Sequence, residues 1–209
     1  MKFTLFLFTL FCSLAYSITA YANCTNQGIG LVITKPDDIY TNNGDATVSD
    51  TNTGLMWQVC PLGLSGADCA TGTLQTLTWP AALAGAVADT SSGYTDWRLP
   101  NKNELISLVD YACTSPAIND SVFPATIPTP LLSLLNDGIF PAITPVPGGG
   151  GYWSSTPVID NSGNALIWAV DFVNGFTIQA SKDNNISGYV RLVRGFELLD
   201  PTLPAPPPL

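Results

Sequence analysis

Asp96-Trp97-Arg98-Leu99-Pro100-Asn101-Lys102-Asn103-Glu104-Leu105 is the stretch on which the reading of this 209-residue chain turns. Asn101 precedes Glu104 by three residues, the spacing of a capping box, in which the Asn side chain and the Glu side chain satisfy each other's backbone amides at a helix start. Leu105, Leu108 and Val109 then recur at helical spacing and form an apolar stripe. Arg98 stands between apolar neighbours. A half-buried guanidinium needs a carboxylate, and its planar fork suits a bidentate pair. Trp97, Arg98 and Glu104 are therefore expected to be structural, with Arg98 in an ion pair that fixes the loop ahead of the helix; ligand binding is the competing role for Arg98.

Upstream, Thr78 to Ala88 is Ala-rich, with Trp79, Leu83 and Val87 every four residues, Thr78 as cap and Pro80 in the first turn. It predicts an earlier helix. Before it, Thr47–Asp50 and Leu55–Val59 read as short strands around the turn Asn52-Thr53-Gly54, and residues 23–44 form a polar N-terminal arm. Downstream, prolines from Pro116 to Pro147 and the run Gly148–Gly151 mark a long excursion with one short helical patch, Leu131–Leu135. Its recurrent apolar residues, Val122, Phe123, Ile139, Phe140 and Ile143, suggest a segment packed on the domain. The last third is strand-like: Tyr152–Ser155, Leu166–Phe172, a turn at Asn174-Gly175 into Phe176–Ala180, and Gly188–Val193. Residues 197–209 are a Pro-rich tail that cannot join a sheet. The order gives one α+β domain, two helices on a small, mostly antiparallel sheet.

Composition excludes several functions. Seven Lys+Arg stand against 16 Asp+Glu, a net charge of −9, the wrong sign for neutralising nucleic-acid phosphates. With no histidine in the chain, a Ser–His–Asp triad, a Cys–His pair and His-ligated metals are all unavailable. Residues 1–22 have a lysine, an apolar run and Ala20-Tyr21-Ala22, the three parts of a secretory signal peptide. Polar Ser13, Ser17 and Thr19 interrupt the run before it reaches the ~20 apolar residues of a membrane span, and no later segment could span. The expected protein is exported: periplasmic, surface-held or secreted. The remaining cysteines, Cys24, Cys60, Cys69 and Cys113, are even in number, as a disulfide framework requires. Of three connectivities, Cys60–Cys69 is chosen because the two bracket a short Gly/Pro loop; Cys24–Cys113 follows by elimination. A four-thiolate zinc site is disfavoured because no Cys-x-x-Cys knuckle occurs.

Several strings carry a family resemblance. Asp50-Thr-Asn-Thr-Gly-Leu-Met-Trp57, Asp96-Trp-Arg-Leu-Pro-Asn101 with Glu104-Leu105, Tyr152-Trp-Ser-Ser-Thr156, Trp168 with Phe172-Val-Asn-Gly175, and Val190-Arg-Leu-Val-Arg194 follow one another in order. Together they resemble the Lcl C-terminal domain family (DUF1566), over residues 45–196. The resemblance implies a C-type lectin-like fold and an adhesin-like binding role. Trp97-Arg-Leu-Pro100 is also similar to a motif of formylglycine-generating enzymes, but those need a late cysteine pair, and no cysteine follows Cys113.

The expected function is a non-enzymatic, exported binding module for a neutral glycan or protein at a surface, because a net negative charge repels polyanions. Two alternatives stay open: an envelope structural or assembly protein docking through the excursion, and a hydrolase built on paired aspartates. The proposed ligand face combines the excursion with two strand-end loops, Asp160, Asn161 and Asn164 in one and Asp183, Asn184 and Asn185 in the other, and with Trp153 as the exposed aromatic. Such oxygen-rich loops could hold calcium, although they also read as ordinary turns; no other cofactor is expected. Homo-oligomerisation is left open.

Overall fold

The computed structural model describes residue 24 and residues 27–127, 151–182 and 186–195. Turn residues mark the first hairpins along the chain. Strand β1 (Tyr40–Asn42) pairs with β2 (Thr47–Asp50), and β2 turns back into β3 (Leu55–Gln58). Asp50 shapes that second turn: its carboxylate accepts the amides of Asn52 and Thr53, and its carbonyl accepts the Gly54 amide. A small hairpin, β4 (Leu64–Ser65) with β5 (Thr71–Gly72), follows under the Cys60–Cys69 bridge, and β6 (Thr76–Thr78) leads directly into helix α1 (Trp79–Ala88). Helix α2 (Lys102–Ser107) starts at the expected capping box, with both reciprocal hydrogen bonds present.

The C-terminal strands are β7 (Gly151–Ile159), β8 (Ala165–Asp171), β9 (Phe176–Ser181), β10 (Ser187–Tyr189) and β11 (Val193–Gly195). They build a five-stranded sheet in the order β6-β10-β7-β8-β9, while β11 completes a four-stranded sheet, β1-β2-β3-β11. Every pairing is antiparallel except β10 with β7. The fold is thus α+β, with few helices and mostly antiparallel sheets. Gly175 closes the β8–β9 turn at φ +77°, and a Cβ there would come within 2.7 Å of Val109 Cγ1, so both backbone and space require glycine.

The expected single strand Gly188–Val193 is instead two short strands in different sheets. Val190 to Leu192 crosses between them, with the Val190 and Leu192 carbonyls accepting the amides of Leu62 and Gln58. The apolar stripe of α1 is also shifted. Ala82 and Ala86 are buried, while Val87 is exposed; a helix lying close on a sheet presents its small side chains to it. One core, on the α1 side of the five-stranded sheet, joins Ala82, Ala86, Trp97, Trp153, Ile167 and Ala169. The other holds Trp57, Leu105, Leu108, Phe123, Tyr152 and Val170. Phe123 is therefore a core residue and not part of a docking face.

The two bridges are Cys24–Cys113 and Cys60–Cys69, as expected. The arm is held by more than the long bridge. Buried Asp110 accepts the amides of Thr34 and Lys35, and Asn119 Nδ2 donates to the Lys35 carbonyl. Among the described residues no helix is long and apolar enough to cross a membrane. The leader 1–22, the patch Leu131–Leu135, apolar Ile139, Phe140 and Ile143, and the tail 197–209 lie outside the described residues.

Candidate functional site

The β7–β8 loop is self-contained. Asp160 Oδ1 accepts the amides of Ser162 and Asn164, Oδ2 accepts Asn164 Nδ2, and the backbone closes with Asp160 N–H to the Asn164 carbonyl. The Asn164 side chain leads the effects that hold the Asp160 carboxyl below the usual range, followed by the surrounding amides. Both oxygens are already engaged inside the loop, and Asn161 and Asn164 are exposed beside it. Among the described residues no group of three or more Cys, Asp or Glu side chains could hold a metal ion. This loop is built as an Asx turn. Asp183, Asn184 and Asn185 lie outside the described residues.

The register also separates two regions expected to share a face. Ile159 pairs with Ala165 beside the Asp160 loop, whereas Gly151, where the excursion rejoins the sheet, pairs with Asp171 at the other end. At the ~3.3 Å rise of a strand residue, that is roughly 25 Å. Thr126, in the first part of the excursion, is at the Gly151 end too: Tyr152 Oη donates to the Thr126 carbonyl at 2.7 Å. Thr126 and Tyr152 meet each other, not the Asp160 loop.

Trp153 is not an exposed platform. It is 2% exposed, and its indole N–H donates to the Leu77 carbonyl at 2.8 Å. Position 153 follows the glycine run, but the pleat directs it toward α1. A register irregularity between Trp153 and Pro157 then changes what faces β8. Trp79 and Trp168 are the tryptophans left partly open among the described residues, and Trp168 lies on the opposite sheet face from Trp153. Its neighbour across β9 is exposed Gln179. Lys102, the first residue of α2, places its ammonium 4.5 Å from the Trp168 ring centroid, a cation–π contact. The Lys102 amide is fixed by Thr156 Oγ1 at 2.9 Å, and Ser154 Oγ donates to the Trp168 carbonyl. No described residue accepts from the Trp168 indole N–H. An aromatic ring, a cation, an amide and the Thr156 hydroxyl thus converge on one face.

Arg98 makes a two-pronged pair with Glu104, Nη1 to Oε2 and Nη2 to Oε1, both 2.7 Å. Glu104 Oε2 simultaneously accepts the Asn101 amide. Burial pushes the Glu104 carboxyl up, but the Arg98 hydrogen bonds, the Asn101 amide and the Arg98 charge outweigh it and leave it low. Trp97 is buried, its N–H bound to the Ser91 carbonyl. The capping box and the ion pair are one unit.

With these positions fixed, the motifs fall on β2–β3, the loop into α2, β7, the β8–β9 turn and the β10–β11 crossing. The sequence model of the Lcl C-terminal domain matches residues 46–194. The chain belongs to the Lcl C-terminal domain family. Comparison with curated proteins finds no match.

In this Lcl C-terminal domain the second motif arginine is the one that sequence reasoning passed over. Arg191 is fully buried at the crossing between the sheets. Its Nη1 donates to the carbonyls of Gln58 and Val59, and Nη2 donates to Thr126 Oγ1 at 2.9 Å. Phe123 and Tyr152 face its guanidinium carbon with ring centroids 4.9 and 5.8 Å away. No described carboxylate pairs with it. Burial lowers the guanidinium and pushes the Tyr152 phenol up to about 12, partly offset by the Arg191 charge. Arg191 thus ties Thr126, within the excursion, and Tyr152, just after it, to the end of β3. Its string Val190-Arg-Leu-Val-Arg194 was visible; its burial was not, since arginines are almost never fully buried without a partner.

Proposed function

We propose that this Lcl C-terminal domain is an exported, non-catalytic binding module of C-type lectin-like fold that takes a neutral glycan or protein at a surface. The observation that carries the reading is Trp168, partly open, with an indole N–H that no described residue accepts and with Lys102, Thr156 and Gln179 around it. Sugar and peptide recognition both use an apolar ring face edged by a few fixed polar groups. The long-range disulfide supports export, because bridges persist in oxidising compartments. The hydrolase alternative would need a carboxylate pair with one raised carboxyl. Among the described residues only Asp171 has a raised carboxyl, through burial, opposed by hydrogen bonds from the Val173 amide and the Asn174 side chain, and no second carboxylate contributes to it.

The test is a glycan array with the purified protein, with calcium and with chelator, alongside Trp168→Ala. Binding to defined sugars that survives chelator and falls at least tenfold in Trp168→Ala supports the reading. Binding unchanged in Trp168→Ala removes this face, and chelator-sensitive binding reinstates the loops. A blank array directs the same variant to cross-linking against envelope proteins.

A further inference from the structure

The indole N–H groups of Trp79, Trp97 and Trp153 donate to the backbone carbonyls of Ser154, Ser91 and Leu77. The hydroxyls of Tyr94 and Tyr152 donate to the Asp45 carboxylate and the Thr126 carbonyl. Three buried atoms break this pattern. Tyr40 Oη, Trp57 Nε1 and Arg191 Nε have no hydrogen-bond partner among the described residues. Trp57 and Arg191 are fully buried, and Tyr40 is 9% exposed. A buried donor without an acceptor costs the desolvation of that group, so native interiors rarely keep one. These three also belong to one region. Tyr40 opposes Asp50, while Val48 opposes Trp57 and Trp57 opposes Val193. Opposed residues share a face, as do residues two apart in a strand, so Tyr40 and Trp57 lie on one face of the four-stranded sheet with Val48 between them. Arg191 reaches the same core, binding the carbonyls of Gln58 and Val59 just after Trp57. Phe123 links the two ends: its ring is 5.3 Å from that of Tyr40 and 4.9 Å from the Arg191 guanidinium carbon.

We propose that this core face is an internal water site, in which bound water accepts from Trp57 Nε1 and Arg191 Nε and hydrogen-bonds the Tyr40 hydroxyl. The donor set selects the ligand. Indole and guanidinium nitrogens only donate, whereas a phenol can donate or accept. Water accepts and donates at once, and buried waters characteristically satisfy polar groups of this kind. An anion would accept from all three donors, but the Tyr40 end is already negative. Burial, then the charges of Asp50 and Asp110, pushes the Tyr40 phenol up, and both carboxylates are buried. The same charges that disfavour a phenolate disfavour a bound anion beside it. The water joins β1, β3 and the β10–β11 crossing in one polar network inside an otherwise apolar core, and it completes the clamp that Arg191 makes on Thr126 and the end of β3.

Two measurements on the purified protein test the site. The first is magnetisation transfer between water and the assigned indole N–H protons in NMR spectra of the folded protein. Trp57 is expected to show a direct cross-peak with bound water, while Trp97 and Trp153, buried and bonded to carbonyls, show none. The second is denaturant titration of Tyr40→Phe, which keeps the ring against Phe123 and removes only the hydroxyl. If water bonds that hydroxyl, its loss raises the unfolding equilibrium constant about fivefold. A hydroxyl with no partner would instead be neutral or stabilising to remove, and that result overturns the proposal. So does a Trp57 indole without a water cross-peak, even with Tyr40→Phe destabilised, since the acceptor would then be protein. Equal cross-peaks at Trp57, Trp97 and Trp153 overturn it as well, because water would then enter the interior without a site.

Discussion

Arg98 and Arg191 stand in two motifs of the same chain and solve opposite problems. Arg98 lies at the surface, its side chain 44% exposed, and is paired on both prongs with Glu104. Arg191 is fully buried and has backbone carbonyls, a threonine hydroxyl and two rings in place of any described carboxylate. The pair with the better Coulomb geometry is the weaker contributor, because water screens it and already solvated both ions. The arginine without a counter-ion matters more: removing it leaves carbonyls unsatisfied and a void among Thr126, Phe123 and Tyr152. Proximity of opposite charge is thus a poor guide to what holds this domain together.

The sharpest way to break the comparison is at Arg191. Arg191→Ala is expected to cost about 3–5 kcal/mol by denaturant titration, comparable to other losses of buried polar partners. Arg191→Met, which restores volume but no donors, should recover part of that. A neutral Met variant would show that the charge contributes nothing and would reduce Arg191 to a packing residue.

A smaller effect is expected at the surface. Arg98→Lys keeps the charge but loses the fork, and should cost about 0.5–1 kcal/mol, read as a shift in denaturation midpoint. A loss as large as that of Arg191→Ala would overturn the ranking. The smallest effect depends on pH. The Glu104 carboxyl is held low in the folded state, so its contribution is fully present above the unfolded glutamate value and disappears as pH falls through the lower folded value. Glu104→Gln should therefore be less stable than the unaltered protein at neutral pH, with the difference shrinking in acid. An equal gap at both pH values would place the benefit in the capping hydrogen bond alone.

Legibility in the sequence followed the range of the interaction. The capping box of Asn101 and Glu104, the Asn174-Gly175 turn and the nine-residue Cys60–Cys69 separation were readable because the residues involved are neighbours in the chain. The candidate site was only partly readable. Asp160 and Asn164 do form an organised loop, but they bond to each other, and a list of oxygen atoms does not reveal that they are already engaged. Trp153 and Trp168 were indistinguishable as letters; β pairing and the irregularity after Trp153 decide which ring faces α1 and which meets Lys102.

The sequence by itself determined the class of the domain, its family, its disulfide pairing and the start of α2, because each rests on a short spacing or on motifs in order. The tertiary structure alone decided that Arg191 is buried, that Thr126 and Tyr152 meet away from the Asp160 loop, and that β9 ends the five-stranded sheet. Those facts depend on strand order and register between segments far apart in the chain. A strand places alternate residues on opposite faces, so a shift of one position exchanges core for surface, and no local pattern records which register the assembled sheets adopt.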